Sequence, residues 1–197
     1  MLIGICGGIG SGKSVVSRIL RSSGYLVYDC DLEARRLMET SPDIKRRIHD
    51  EISSDVTDGE SMPDRHRLAE LVFADEESRL RLNGIMHAAV RRDLQYAAAS
   101  CHRNIMFVEA AILAESGLAP LCDAIWLVSA PADVRLQRAM DRDRCSERQI
   151  LSRMHSQLKE ESMLREYSNK TTIIHNDGIR PLLPQIEVAL GCLDNPI

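Results

Sequence analysis

The chain has 197 residues, 44% hydrophobic and 27% charged, with a formal net charge of −4 at pH 7. That is long enough to bury a core and reads as one globular domain with an elaboration, without the basic balance that attracts nucleic acid or an acidic membrane. Six cysteines lie far apart with no Cys-x-x-Cys pair, which argues against a structural zinc site or a disulfide framework and for reduced thiols.

The first apolar run, residues 2–6, ends at Cys6. It is too short and lacks the basic flank of a secretory signal, and nothing later approaches the ~18 apolar residues of a membrane span. A soluble, cytoplasmic protein is expected. After this first predicted strand comes GGIGSGKS, residues 7–14, and then a stretch with helical spacing. Further strand-like runs follow at 25–29, 105–109, 124–129 and 171–175, most of them separated by helical periodicity. Strands alternating with helices predict an α/β fold, a parallel sheet of five strands with helices on both faces. The gap between the second and third runs is about three times an ordinary crossover and reads as helix, so a mostly helical subdomain is inserted there. Within it SSDVTDGESMP, residues 53–63, is the clear flexible connection. A second helical, charge-dense excursion runs from Ala132 to about Tyr167.

Gly7-x-x-x-x-Gly12-Lys13-Ser14 matches the P-loop pattern in the position that the pattern requires, after a strand and before a helix. Glycines let the backbone wrap so that successive N–H groups face an anion, and the helix that follows adds its positive end. Lys13 would reach the β- and γ-phosphates of a nucleotide and the Ser14 hydroxyl would ligate Mg²⁺. The plainer reading is a glycine-rich turn carrying an exposed lysine. Two carboxylates, Asp29 and Asp31, close the second strand in YDCDLEARR. One could support the metal while the other takes a proton from an attacking hydroxyl; Asp31 could also cap the helix that follows, but beside a P-loop the catalytic reading leads.

GGIGSGKS, YDCD, RHRLAELVF with LNGIMH, AILAESGL, RAMDRDRCSERQI and IIHNDG, in that order, resemble the signature of the dephospho-CoA kinase family over nearly the whole chain. The resemblance implies a three-layer P-loop NTPase core at 1–31, 101–134 and 168–197, a helical CoA domain at 32–100 and a lid at 135–167. It implies transfer of the γ-phosphate of ATP, with Mg²⁺, to the 3′-hydroxyl of dephospho-CoA. On that pattern Gly8, Ile9, Gly10, Ser11, Gly12, Lys13, Ser14 and Val15 hold ATP, with Asn176 and Gly178 near its adenine. Asp31 is the base, Arg142 the lid arginine over the phosphates, and Asp31, Arg65, Phe73, Asn83, His87 and Arg91 the acceptor contacts. By spacing alone Phe73 reads as core, His87 as a packed or solvent-facing histidine, and Arg142 as part of a solvated charged face. Departures are Val15 where the family has threonine, Glu109-Ala110-Ala111 where it reads Asp-x-Pro, and Ala88 where proline is common, which leaves that helix free to continue.

The nearest alternative is a shikimate- or nucleoside-kinase-like enzyme, which shares the loop and can share the Asp-x-Asp. No Gly-Gly-Gly acceptor motif follows the third strand, and the insertion ahead of it is long. A GTP-binding switch would need Asn-Lys-x-Asp, and Asn169-Lys170-Thr171-Thr172 lacks the final carboxylate. Few aromatic residues are present to stack bases, which disfavours a nucleic-acid-binding ATPase.

Overall fold

The computed structural model describes residues 1–57, 61, 63–157, 162 and 164–194. Parts of the predicted loop at 53–63, the predicted lid at 135–167 and the C-terminal end of the predicted core lie outside the described residues. The chain forms two compact units, one of Met1–Tyr28 with the chain from Cys101 onward, the other of Asp29–Ser100.

In the first unit five strands, β1 (Leu2–Cys6), β2 (Leu26–Asp29), β3 (Met106–Glu109), β4 (Ala124–Ser129) and β5 (Thr171–His175), form one parallel sheet in the order β2-β3-β1-β4-β5. In register, Ile5 stands between Glu109 of β3 and Trp126 of β4. The inner strands are buried on both faces, so they read as continuous apolar runs rather than alternating ones. β2 and β3 each begin one residue after the apolar run that foretold them. Tyr25 and Ile105 pack on the core from just outside the ladder, the Tyr25 N–H being bonded back to Leu20 O at 2.9 Å.

Helix α1 (Lys13–Ser22) turns Val16 and Leu20 onto the sheet. Tyr25, Phe107 and Trp126 then run in ring contact across the core, with centroids 5.4 and 5.1 Å apart in edge-on and tilted geometries. Between β4 and β5 lie α6 (Ala132–Asp143) and α7 (Glu147–Ser156), the latter opened by a Ser146/Gln149 capping box. Lys170, at the head of β5, donates to Ala119 O at 3.0 Å and Cys122 O at 2.5 Å. Burial pushes the Cys122 thiol up to about 12, so it stays protonated at neutral pH. The last helix (Leu182–Asp194) packs Ile186, Ala189 and Leu193 on the same core.

Among its described residues the second unit is built of helices: α2 (Cys30–Thr40), α3 (Pro42–Glu51), α4 (Arg65–Ala74) and α5 (Glu76–Ala99). Each start is written in the sequence as a side-chain cap, Asp29, Ser41 followed by Pro42, Asp64 and Asp75, taking orphan N–H groups. α5 runs unbroken through Ala88. Ile44, Ile48, Leu68, Ile85, Met86 and Ala89 make a separate apolar core. Val56 joins it, and Asp64 N bonds Val56 O at 2.8 Å, so this part of the segment expected to be flexible is anchored instead.

Phe107 is fully buried between Tyr25 and Trp126. Phe107→Ala is expected to cost about 3–5 kcal/mol. Denaturant titration followed by emission of the single, fully buried tryptophan reads it, and an unchanged midpoint would contradict this packing.

Candidate active site

β1 is the central strand, and the chain leaves its carboxyl end directly into residues 7–12. The loop folds on itself through Ser11 N to Gly8 O at 3.1 Å and enters α1 through Val15 N and Val16 N to Gly12 O at 3.0 and 3.3 Å. Lys13 lies back across the opening, its Nζ donating to Gly7 O at 2.8 Å and Gly8 O at 3.4 Å. That placement removes the plainer reading of an exposed lysine on a turn, because the ammonium is held at the mouth of the loop.

Why glycine is needed is visible at two positions. Gly12 caps α1 in the left-handed region at φ +95°, and a Cβ there would overlap Asn176 Nδ2. A Cβ on Gly8 would overlap the Arg135 guanidinium. The backbone N–H groups of Gly10, Gly12 and Ser14 have no acceptor among the described residues, and the buried Ser11 hydroxyl has none either. Inward donors, a lysine ammonium and a helix N-terminus suit a polyphosphate. The exposed Ser14 hydroxyl in the first helical turn suits the oxygen-seeking Mg²⁺. Val15 contributes less, since its side chain faces solvent and its N–H is bonded to Gly12 O.

Three other elements converge on the loop. Asn176, just past β5, receives through its carbonyl the Arg138 Nη1 donor at 2.8 Å, donates its N–H to Ser129 O at 2.7 Å, and sends Nδ2 to Ser11 O at 2.8 Å. Asp177 beside it takes the N–H groups of Arg180 and Ile179, which hold its carboxyl below the usual range. Gly178 then turns at φ +85°, 3.9 Å from Arg138 Nη2 measured at its would-be Cβ. Arg142 rests on the neighbouring carboxylate of Asp143. Its Nε and Nη2 pair with Asp143 at 2.7 and 3.2 Å, and Arg153 joins the same carboxylate at 3.0 Å, which lowers the Asp143 pKa. The arginines that reach the loop side are Arg135 and Arg138. They stand three apart on one face of α6, a spacing that was readable in RLQR although the sequence reading passed over it. Gln157, also unforeseen, accepts the Ile9 N–H at 2.7 Å. Glu109 ends β3 in register with Ile5.

In the helical unit the cap of α2 is Asp29, whose Oδ1 takes Asp31 N at 3.1 Å and Leu32 N at 3.0 Å. The helix therefore starts one residue ahead of Asp31, and Asp31 is left in its first turn with an exposed carboxylate not spent on capping. Asn83, His87 and Arg91 are half-buried and, four apart, share one face of α5. Arg65 pairs with Glu39. Phe73 is 88% exposed and not in the core; it sits five residues past the buried Leu68, roughly 140° round α4 from it.

Comparison with known proteins identifies the setting of this loop. A sequence model described as dephospho-CoA kinase matches residues 1–180. The chain belongs to the dephospho-CoA kinase family. Curated members from Bacteroides fragilis and Porphyromonas gingivalis are each 39% identical, aligned over 93% of this chain and 88% and 90% of theirs. The crystal structure of TT1252 from Thermus thermophilus superposes with a TM-score of 0.77 at 34% identity, covering 98% of this chain and 95% of that one. A dephospho-CoA kinase from Campylobacter jejuni, at TM-score 0.65 and 23% identity, and a shikimate kinase from Acinetobacter baumannii, at 0.56 and 15%, share the fold. Membership makes this chain an ATP-dependent kinase and favours the main reading over the shikimate- or nucleoside-kinase one.

Lys13→Ala removes the Lys13 ammonium from the loop mouth while leaving the glycine turns intact. Turnover is expected to fall about 10²-fold or more, the scale for losing a preorganised charge at a reacting phosphoryl group. Steady-state kinetics on a variant with native circular dichroism checks it; near-native turnover would refute the assignment of the loop.

Proposed function

We propose that this kinase transfers the γ-phosphate of ATP to the 3′-hydroxyl of dephospho-CoA, the last step in making coenzyme A, and that it does so in the cytoplasm. The observation that carries the reading is the phosphate-shaped loop with Lys13 folded across its first carbonyls, in a chain of this family. All six cysteines are free thiols, as a reducing compartment requires, and no described helix is long and apolar enough to cross a membrane. A net charge of −4 does not favour attraction to nucleic acid or to an acidic membrane surface.

The loop amides and Lys13 bind and orient the triphosphate, which is most of what a phosphoryl-transfer enzyme does. Ser14 would hold Mg²⁺, which when bound neutralises charge on the phosphate oxygens. Asn176 and Gly178 border the base. Asp31, relieved of capping by Asp29, takes the proton of the acceptor hydroxyl on its free carboxylate. The face of α5 that carries Asn83, His87 and Arg91, together with Arg65 and the exposed ring of Phe73, supplies cationic, hydrogen-bonding and stacking groups for an acceptor containing phosphates and an adenine. The excursion 135–167 serves as the lid that excludes water, with Arg142 on it to meet the phosphates once they are bound.

ATP consumption measured with dephospho-CoA, with shikimate, with a deoxynucleoside and with no acceptor tests the substrate. Turnover is expected with dephospho-CoA alone, and preference for another acceptor would overturn the proposal. Asp31→Asn keeps the shape and removes the basic oxygen. We expect kcat to drop by about 10²–10⁴-fold with ATP affinity little changed. If ATP and Mg²⁺ binding collapses along with turnover, Asp31 serves the metal and is not the base.

A further inference from the structure

One loop amide is engaged by a side chain. The Ile9 N–H donates to Gln157 Oε1 at 2.7 Å, across 148 residues of chain. Gln157 is the C-terminal cap of α7, so this bond ties the end of that helix, part-way along the excursion, to the phosphate loop. Its position along the loop identifies what it displaces. Lys13 Nζ, the group that serves the β- and γ-phosphates, rests on Gly7 O and Gly8 O. The first turn of the loop, residues 7–9, therefore lies beside the group that reaches the terminal phosphates.

Arg135 comes to the same turn from the opposite end of the excursion. A Cβ placed on Gly8 would overlap Arg135 Nη1 and stand 3.6 Å from Gln157 Oε1. One spot thus has a guanidinium on one side and an amide oxygen on the other. A neutral amide oxygen is a weaker acceptor than a phosphate oxygen, whose hydrogen bond is charge-assisted, and the adjacent guanidinium widens that difference.

We propose that Gln157 is a positioning residue that occupies the Ile9 amide in place of a terminal phosphate oxygen and yields to it, so that seating the third phosphate frees the end of α7 from the loop. ATP would release this contact and ADP would leave it in place. The inference rests on the reading of the loop as an ATP site.

The test is calorimetric binding of ADP and of a non-hydrolysable ATP analogue to the wild-type protein and to Gln157→Leu and Gln157→Glu, with thermal midpoints to confirm folding. Wild type is expected to bind both nucleotides; binding neither would overturn the ATP reading and this proposal with it. With the competing acceptor gone, Gln157→Leu should bind the triphosphate about 3–10-fold tighter, the scale of one net hydrogen bond, and leave ADP within about twofold. In Gln157→Glu a fixed negative charge should weaken the triphosphate about tenfold or more and affect ADP far less. Equal shifts for the two nucleotides, or weaker triphosphate binding in the leucine variant, mean that Gln157 is only structural. A readout on the wild-type protein needs no variant: the Ile9 amide NMR resonance should move farther with the ATP analogue than with ADP, and equal movement with both would also overturn the proposal.

Discussion

A row of main-chain N–H groups at the carboxyl end of β1 must be left without protein acceptors and yet be held in one shape, and most of the first unit serves that requirement. Holding it takes close neighbours. Asn176 from beyond β5, Arg135 from α6 and Val128 from β4 all approach the loop to distances at which a single added carbon would collide. The sheet order puts β1 in the middle with β4 beside it and β5 next out, so those neighbours arrive from strands already fixed in register. Preorganisation of this kind is what an electrostatic catalyst needs, because donors that are already oriented do not have to be reorganised during the reaction.

Stability is supplied elsewhere. The first unit is built on Ile3, Ile5, Phe107 and Trp126, and the second on Ile44, Ile48, Leu68 and Ile85. The two sets share no residue, so each unit has a core of its own. In the helical unit the surface ion pairs, such as Arg36 with Asp93 and Arg47 with Glu51, are largely solvated and add little. Apolar burial and four side-chain caps do the work.

What could be read from sequence followed the range of the signal. The loop, the five strands and the helices of the second unit are local patterns, and each is present close to where its residues indicate. The start of β2 moved because Tyr25 answers to the end of α1 rather than to a neighbouring strand. Two carboxylates two apart, Asp29 and Asp31, leave the cap ambiguous on paper; where the strand stops decides it for Asp29. Phe73 looks like core by composition and is outside because of its rotation on α4. On α6 the charges are too dense for spacing to say which face meets the loop, so nothing in the sequence marked Arg135 and Arg138, while Arg142 was named by resemblance alone. Gln157 had no signature at all, since its partner is 148 residues away.

The excursion between β4 and β5 has one further property. It leaves and re-enters on adjacent, hydrogen-bonded strands, and its return is fastened by Lys170 to two carbonyls of the segment ahead of β4. Mechanically it is a strap clamped at both roots, with Gln157 a third pin part-way along. The turn that joins α6 to α7, where Arg144 sits in the left-handed region at φ +51°, is remote in sequence from every clamp. In a strap held that way the stretch farthest from the clamps is the least constrained; Arg142 and Asp143 lie there, Arg135 and Arg138 nearer the root of α6.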